Sequence, residues 1–167
     1  MILESSARLA GFALAHAAWS VSDLPTGQLL TPFLITEEAG ARELTRFESS
    51  TQVAAIKAGK HAAQERAGRV DAWAFAREGT LRTDDTQAAL DTLVVEFGSR
   101  DDSEPYAIIQ PYEAYAVRQR FRLMGDPTVT RGGEMLDPGE LAMMRVLVAE
   151  GVGHHPAVAD LWVQWRQ

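Results

Sequence analysis

The sequence predicts one α+β domain over residues 1–167: a mainly antiparallel sheet of about five to six strands, covered by an N-terminal helix, a middle helix and two C-terminal helices. Three observations carry this. Apolar residues recur at helical spacing at both ends of the chain. They alternate with period two in the middle, and the two patterns do not interleave as strand, helix, strand, as a parallel sheet requires. With 167 residues, 46% hydrophobic and 23% charged, the chain has a globular balance. Folding at this length hides roughly 70% of the unfolded surface, so no disulfide or metal is needed.

The opening helix, Leu3 to Val21, carries two apolar stripes. Leu3, Ala7, Ala10, Leu14, Ala17 and Val21 form one, and Leu9, Phe12, His16 and Trp19 the other. Only Glu4, Arg8, Gly11 and Ala15 remain as a thin third side, so the helix is buried on two faces or covered by a partner subunit. Glu4 offsets Arg8, and His16 and Trp19 interrupt the apolar run, so neither a signal peptide nor a membrane span is expected.

A turn through Pro25 and Gly27 leads to two short strands, 31–36 and 42–47, joined around Glu38-Ala39-Gly40; Pro32 suggests an edge position. Ser49 with Gln52 has capping-box spacing and predicts a helix over 50–66, with Val53, Ile56 and Ala63 inward and Gly68 as its stop. Residues 70–77, 91–97 and 106–110 read as strands, with Glu78-Gly79 turning the first and 80–82 beginning the return. Tyr115, Val117, Gln119, Phe121 and Leu123 alternate with Arg118, Arg120 and Arg122, which predicts one more strand. The segments 82–88 and 125–133 are the expected mobile pieces. Asp137-Pro138-Gly139-Glu140 signals a helix over 138–150, stopped by Gly151 and Gly153. Pro156 then opens a last helix whose apolar face is Val158, Leu161, Trp162 and Trp165.

Composition excludes several chemistries. The absence of cysteine removes thiol nucleophiles, redox pairs, thiolate zinc sites and disulfides, and fits a cytoplasmic location. A net charge of −7 opposes a nucleic-acid partner. Arg outnumbers Lys 14 to 2, beside 26 Ala, which is the codon signature of a GC-rich, bacterial-type genome. There is no Asn at all, so sequons, Asn-Gly turns and a catalytic Asn are excluded.

No nucleotide-binding glycine motif or GxSxG elbow is present. His16 and His61 read as polar residues at helix margins. His154 and His155 are adjacent, so their side chains diverge, and the expected role of His155 is to help cap the last helix. Asp84-Asp85 and Asp101-Asp102 lack calcium-loop spacing. No metal, cofactor or catalytic residue is therefore expected.

Two sets of residues remain. Arg118, Arg120 and Arg122 on one strand face would stand about 7 Å apart and need carboxylates, solvent or an anion, with Tyr112 and Tyr115 as pocket walls. The default is intramolecular pairing with groups such as Glu96 and Glu104. The terminal helices carry more apolar surface than one sheet face needs, which points to a homodimer through Leu9, Phe12, Trp19, Trp162 and Trp165. The alternative is that these helices bury one another.

The expected function is therefore a non-catalytic protein-interaction or oligomerisation module, one version being an acidic inhibitor of a basic partner. The competing expectation is a small-molecule or anion-binding protein, or an unrecognised enzyme, using the arginine-lined sheet face.

Overall fold

The computed structural model describes residues 2–25, 27–82 and 89–167. Among these, α1 (Ile2–Val21) leads into a hairpin, β1 (Phe33–Glu38) and β2 (Ala41–Arg46), and then α2 (Gln52–Ala67). The long strands β3 (Ala72–Arg82), β4 (Ala89–Ser99) and β5 (Tyr106–Glu113) follow. One helical turn, α3 (Tyr115–Arg118), precedes β6 (Arg122–Leu123), β7 (Thr128–Arg131) and β8 (Glu134–Met135). The chain closes with α4 (Pro138–Gly153) and α5 (Ala159–Trp165). The α+β character is as expected, with eight strands in place of five or six. They make one antiparallel sheet in the order β2-β1-β3-β4-β5-β7-β8, and β6 pairs with the far end of β5. Residues 83–88, which hold Asp84, Asp85 and most of the loop expected between β3 and β4, lie outside the described residues.

Strand alternation gives the sheet two unlike faces. On one, Ala72, Ala74 and Ala76 of β3 lie beside Phe33 and Ile35 of β1, with Leu93, Val95 and Phe97 of β4 on their other side. Three alanines in a row leave a shallow trough, and α1 sits in it with its own alanines at 7, 10, 13 and 17 buried. Close approach of two backbones is what small side chains permit, and each larger residue enclosed here, such as Leu9 or Leu14, contributes about 1.5–3 kcal/mol. On the other face Leu34, Trp73 and Phe75 pack under α2 with Val70 and Ala63. Gly59 lets α2 settle there, since a Cβ would lie 2.2 Å from the Phe75 ring.

Helix α4 closes α1 from the outside. The two cross so tightly that a Cβ on Gly11 would meet the Val148 carbonyl oxygen at 2.1 Å, and one on Gly151 the Arg8 carbonyl oxygen at 2.0 Å. Arg8 Nε also donates to Glu150 Oε2 at 2.7 Å beside this crossing. Both faces of α1 are therefore covered, and its second cover is α4 of the same chain. The apolar surplus of α1 is thus taken up within the chain, the alternative given above. Leu9 is wholly enclosed, and Phe12, Trp162 and Trp165 are half-buried against the chain's own core. Of the five, only Trp19 is substantially exposed, at 46%.

Several local expectations change for identifiable reasons. The cap of α2 is Thr51, whose Oγ1 accepts from the Ala54 N–H; Gln52 instead donates to the Leu30 carbonyl. That shifts the inward face to Ala55, Gly59 and Ala63, and leaves Val53 78% exposed. The edge strand is β2, since β1 pairs with β3 on its other side and brings the hairpin into the main sheet. Gly151 does not stop α4, because the helix needs it for contact with α1, and α4 runs on to Gly153. Its start is as expected, with Asp137 Oδ1 accepting from the Glu140 N–H at 2.9 Å. The last helix begins at Ala159, three residues beyond Pro156.

The expected strand over 115–123 is the largest correction. The edge of β5 is already occupied by β7 at Tyr106–Ile109 and by β6 at Tyr112–Glu113, so residues 115–118 have no strand to join. They coil once as α3, and Gln119 takes a left-handed φ of 55° that swings Phe121 and Leu123 back into the core.

Candidate functional site

Strand β3 does not turn at Glu78-Gly79. It pairs with β4 in continuous register from Ala72 opposite Ser99 to Arg82 opposite Ala89. The inward alternation of Ala72, Ala74 and Ala76 therefore continues to Glu78, and places a carboxyl on the α1 face of the sheet. Thr80, Asp91 and Tyr112 form the next cross-strand row on that face. Helix α1 ends at Val21, and the sheet runs on beyond it. The space left over is a cavity of about 300 Å³, walled by Val21, Leu24, Pro25, Gly27, Gln28 and Leu29 on one side and by Ala114, Ala116 and Val117 on the other, with Glu78, Asp91, Tyr112 and the Gln28 amide as its polar groups. This is at the low end of the roughly 300–1,000 Å³ typical of ligand sites.

Glu78 is the unusual residue here, being only 9% exposed. Its Oε1 accepts from the Leu30 N–H at 2.8 Å, and its carboxyl lies beside the Tyr112 side chain. Burial holds the carboxyl above the usual carboxylate range, and the Asp91 charge adds to the shift, while the Leu30 N–H and the Tyr112 side chain oppose it. Tyr112 is pushed up in turn, by burial first and by the Glu78 and Asp91 charges after it. Among the described residues no Lys, Arg or His lines this cavity. A largely desolvated acid facing open space with no basic partner is an arrangement that structural ion pairs do not explain.

Two other concavities differ in this respect. The cleft between α2 and β4, of about 480 Å³, contains charges that already answer one another. Glu96 lies 3.8 Å from Lys60 and 3.6 Å from Arg77, and Asp102 accepts from the Ser99 N–H and Oγ. The groove between α4 and α5, about 300 Å³, is lined by Val146, Val148, Ala149, Val152 and Trp162, with Arg166 paired to Asp126.

The arginine row expected from the sequence is not assembled. Arg118 lies 3.8 Å from Glu113, Arg120 donates to the Gln167 carbonyl at 3.0 Å, and Arg122 sits half-buried on β6 with its Nε enclosed and lacking a hydrogen-bond partner. Without a common strand face, these three do not form a comb of parallel guanidinium groups. Tyr115 is exposed on α3, whereas Tyr112 does line a cavity, facing an acid in place of the arginines. Glu78 followed by Gly79 has the local look of a turn, and its strand signal is the unbroken alternation from Ala72.

A second polar cluster lies where α1 meets the loop between α4 and α5. His16 Nδ1 and His155 Nε2 are 3.2 Å apart, between the rings of Phe12, Trp19 and Phe33. The Ala157 N–H donates to His155 Nδ1, which puts the His155 proton on Nε2, from which it is donated to His16. His155 thus holds the turn ahead of α5, close to its expected capping role, while its bond to His16 went unforeseen. Both rings are held below the ordinary histidine range. Burial is the main cause, and His16 also faces His155 and the positive charge of Arg46.

Among the described residues no helix is long and apolar enough to cross a membrane, and no three His, Asp or Glu side chains are grouped to hold a metal ion. Comparison with family models, curated proteins and solved structures finds no match to this chain.

Proposed function

We propose that this protein binds a small molecule in the cavity beyond the end of α1. The observation that carries the reading is Glu78, an almost fully buried carboxyl aimed at open space and lacking a basic partner. Protein interiors place unpaired acids at a cost, and such compromises concentrate at sites of use. The apolar walls supply contact area, and Glu78, Asp91 and Tyr112 supply orientation.

The test is a ligand-observed NMR screen of a fragment set containing cations, anions and neutral compounds. Val117 is largely exposed at the mouth of the cavity, so Val117→Trp should leave the fold intact and fill the entrance. Fragments that bind the natural protein and lose the signal in Val117→Trp support the reading; a screen in which no fragment distinguishes the two sinks it. Glu78→Gln carries a second expectation. The amide oxygen still accepts from Leu30, but there is no charge to desolvate at neutral pH. Because the folded state holds this proton more tightly than the unfolded state, the carboxyl weakens folding once the pH rises above the ordinary carboxylate range. The variant should therefore gain about 0.5–2 kcal/mol of stability at pH 7 and lose that advantage near pH 4, as read by urea unfolding.

A second reading, self-association, retains one observation. Met143 and Val146 of α4 and Val163 of α5 are exposed, and the α4–α5 groove has both Asp126 and Arg145 on its rim. A two-fold related copy is the occupant this fits, since it would lay the same exposed apolar residues of each chain against one another across the axis. Sedimentation velocity that shows dimer in the natural protein and monomer in Val146→Glu supports it, and monomer in both excludes it.

A further inference from the structure

Resting on the reading of the α1-end cavity as a ligand site, we infer that its ligand is a small organic cation: a protonated amine or amidine carried on a compact hydrocarbon body. Every source of charge on the cavity wall has the same sign. Glu78 and Asp91 project from adjacent strands, and Tyr112 stands opposite Asp91 with its side chain beside Glu78. Val21, the last residue of α1, brings the carbonyl end of a 20-residue helix to the same wall, and no basic side chain occupies that last turn. Helix carbonyl ends favour positive charge. An anion would meet repulsion from all of these groups and find no compensating Arg, Lys or His among the described lining residues.

The rest of the lining separates an organic cation from a metal ion. Magnesium and calcium take six or more oxygen ligands, and beyond Glu78, Asp91, Tyr112 and the single amide of Gln28 the lining side chains, Val21, Leu24, Pro25, Leu29, Ala114 and Val117 among them, offer hydrocarbon. A ligand with a charged head of two or three N–H donors and an apolar body uses both halves of the site. Its head donates to Glu78 and Asp91, and its body covers Leu29 and Val117, which are otherwise largely exposed. Glu78 Oε1 is engaged by Leu30, so the carboxyl is fixed before the ligand arrives. A cation arriving at a protonated Glu78 displaces its proton to solvent, which leaves a carboxylate paired with an ammonium. The groups that face Glu78 and set this exchange are Asp91 from β4, Tyr112 from β5 and the Leu30 N–H from the loop after α1.

Three probes with one body decide the class: 2-phenylethylamine, 2-phenylethanol and 3-phenylpropanoate, titrated by calorimetry at pH 7 into the natural protein, Glu78→Gln and Val117→Trp. The amine is expected to bind about tenfold or more tighter than the alcohol, and the carboxylate more weakly than either. Glu78→Gln should bring the amine to within about threefold of the alcohol while leaving the alcohol unchanged, and Val117→Trp should weaken both. If the alcohol or the carboxylate binds as well as the amine and Val117→Trp removes that binding, the cation class is overturned and the cavity reading stands. If none of the probes binds, or if Val117→Trp leaves every affinity unchanged, both fall.

Discussion

Replacing Gly151 with Ala is expected to destabilise the protein by about 3 kcal/mol, although Gly to Ala in a helix interior ordinarily gains up to about 1 kcal/mol. The reversal of sign comes from the neighbour. The new Cβ would stand 2.0 Å from the Arg8 carbonyl oxygen, and Gly11→Ala would place one 2.1 Å from the Val148 carbonyl oxygen. Backbone atoms of a packed helix cannot rotate aside as a side chain does, so α1 and α4 must part along their length. Parting them loosens the packing of Met144, Leu147 and Val148, all buried in the main core. Gly153 on the same helix meets nothing within 4 Å of its added Cβ, so Gly153→Ala is the internal control and should change stability little or raise it. The two lock positions should also be strongly non-additive. Once one substitution has separated the helices the second costs less, and Gly11→Ala with Gly151→Ala should fall short of the sum by about 1–2 kcal/mol. Urea unfolding of the four proteins measures this; single variants within about 1 kcal/mol of the natural protein, or strict additivity, would show that the crossing is held some other way.

Acid should destabilise this protein above the pH at which its carboxylates titrate. His16 and His155 form a neutral pair whose every hydrogen bond depends on neutrality. A proton on His155 Nδ1 would face the Ala157 N–H, and one on His16 Nδ1 would face the His155 N–H. Arg46 adds its charge from β2, and Arg42 stacks its guanidinium over Phe12 beside the pair. Both histidines are held below their ordinary pKa in the fold, so the unfolded chain takes up more protons than the native one as the pH falls below about 6.5. Their contribution is fully present above that pH and is lost on the way down. The slope is bounded by about 1.4 kcal/mol per pH unit for each ring, or about 3 kcal/mol for the two between pH 6.5 and 5.5. Glu78 works with the opposite sign, since the native state holds its proton more tightly, and it offsets part of the loss. Urea midpoints at pH 7.5 and 5.5 test the expectation. His16→Gln, which keeps an acceptor for His155, should lose about half of the acid sensitivity, and a natural protein equally stable at both pH values would contradict it.

How far the sequence reached depended on the range of the signal. The α4 start was legible because Asp137, Pro138 and Glu140 act within one turn, and the two-stripe pattern of α1 correctly required a cover on each side. What covered it was not legible, since nothing local links Gly11 to Gly151. The same limit explains Glu78. Acid followed by glycine favours a turn locally, and only the eleven-residue pairing of β3 with β4 keeps the strand straight through it. At Arg118 to Arg122 the period of two was present, but a strand also needs an edge to pair with; β7 takes β5 from Tyr106 to Ile109, and only Arg122 and Leu123 reach the remainder, as β6. The candidate cavity was visible only through Tyr112. Its other parts come from four separate segments, 21–29, Glu78, Asp91 and 114–117, that meet where α1 ends.

The position of α1 also sets an order of events during synthesis. Its first side lies on strands that begin at Phe33, and its second on a helix at the far end of the chain; Arg8 and Glu150, which pair across that crossing, are 142 residues apart. At about 5–20 residues per second, roughly 7–28 s separate their emergence from the ribosome. For that interval the Leu9 and Leu14 side chains have no complete enclosure, and the nascent chain carries an alanine-rich apolar helix that is not yet covered. Truncation before α4 should therefore yield a species that aggregates or recruits a chaperone, because α1 is made long before the helix that completes its enclosure.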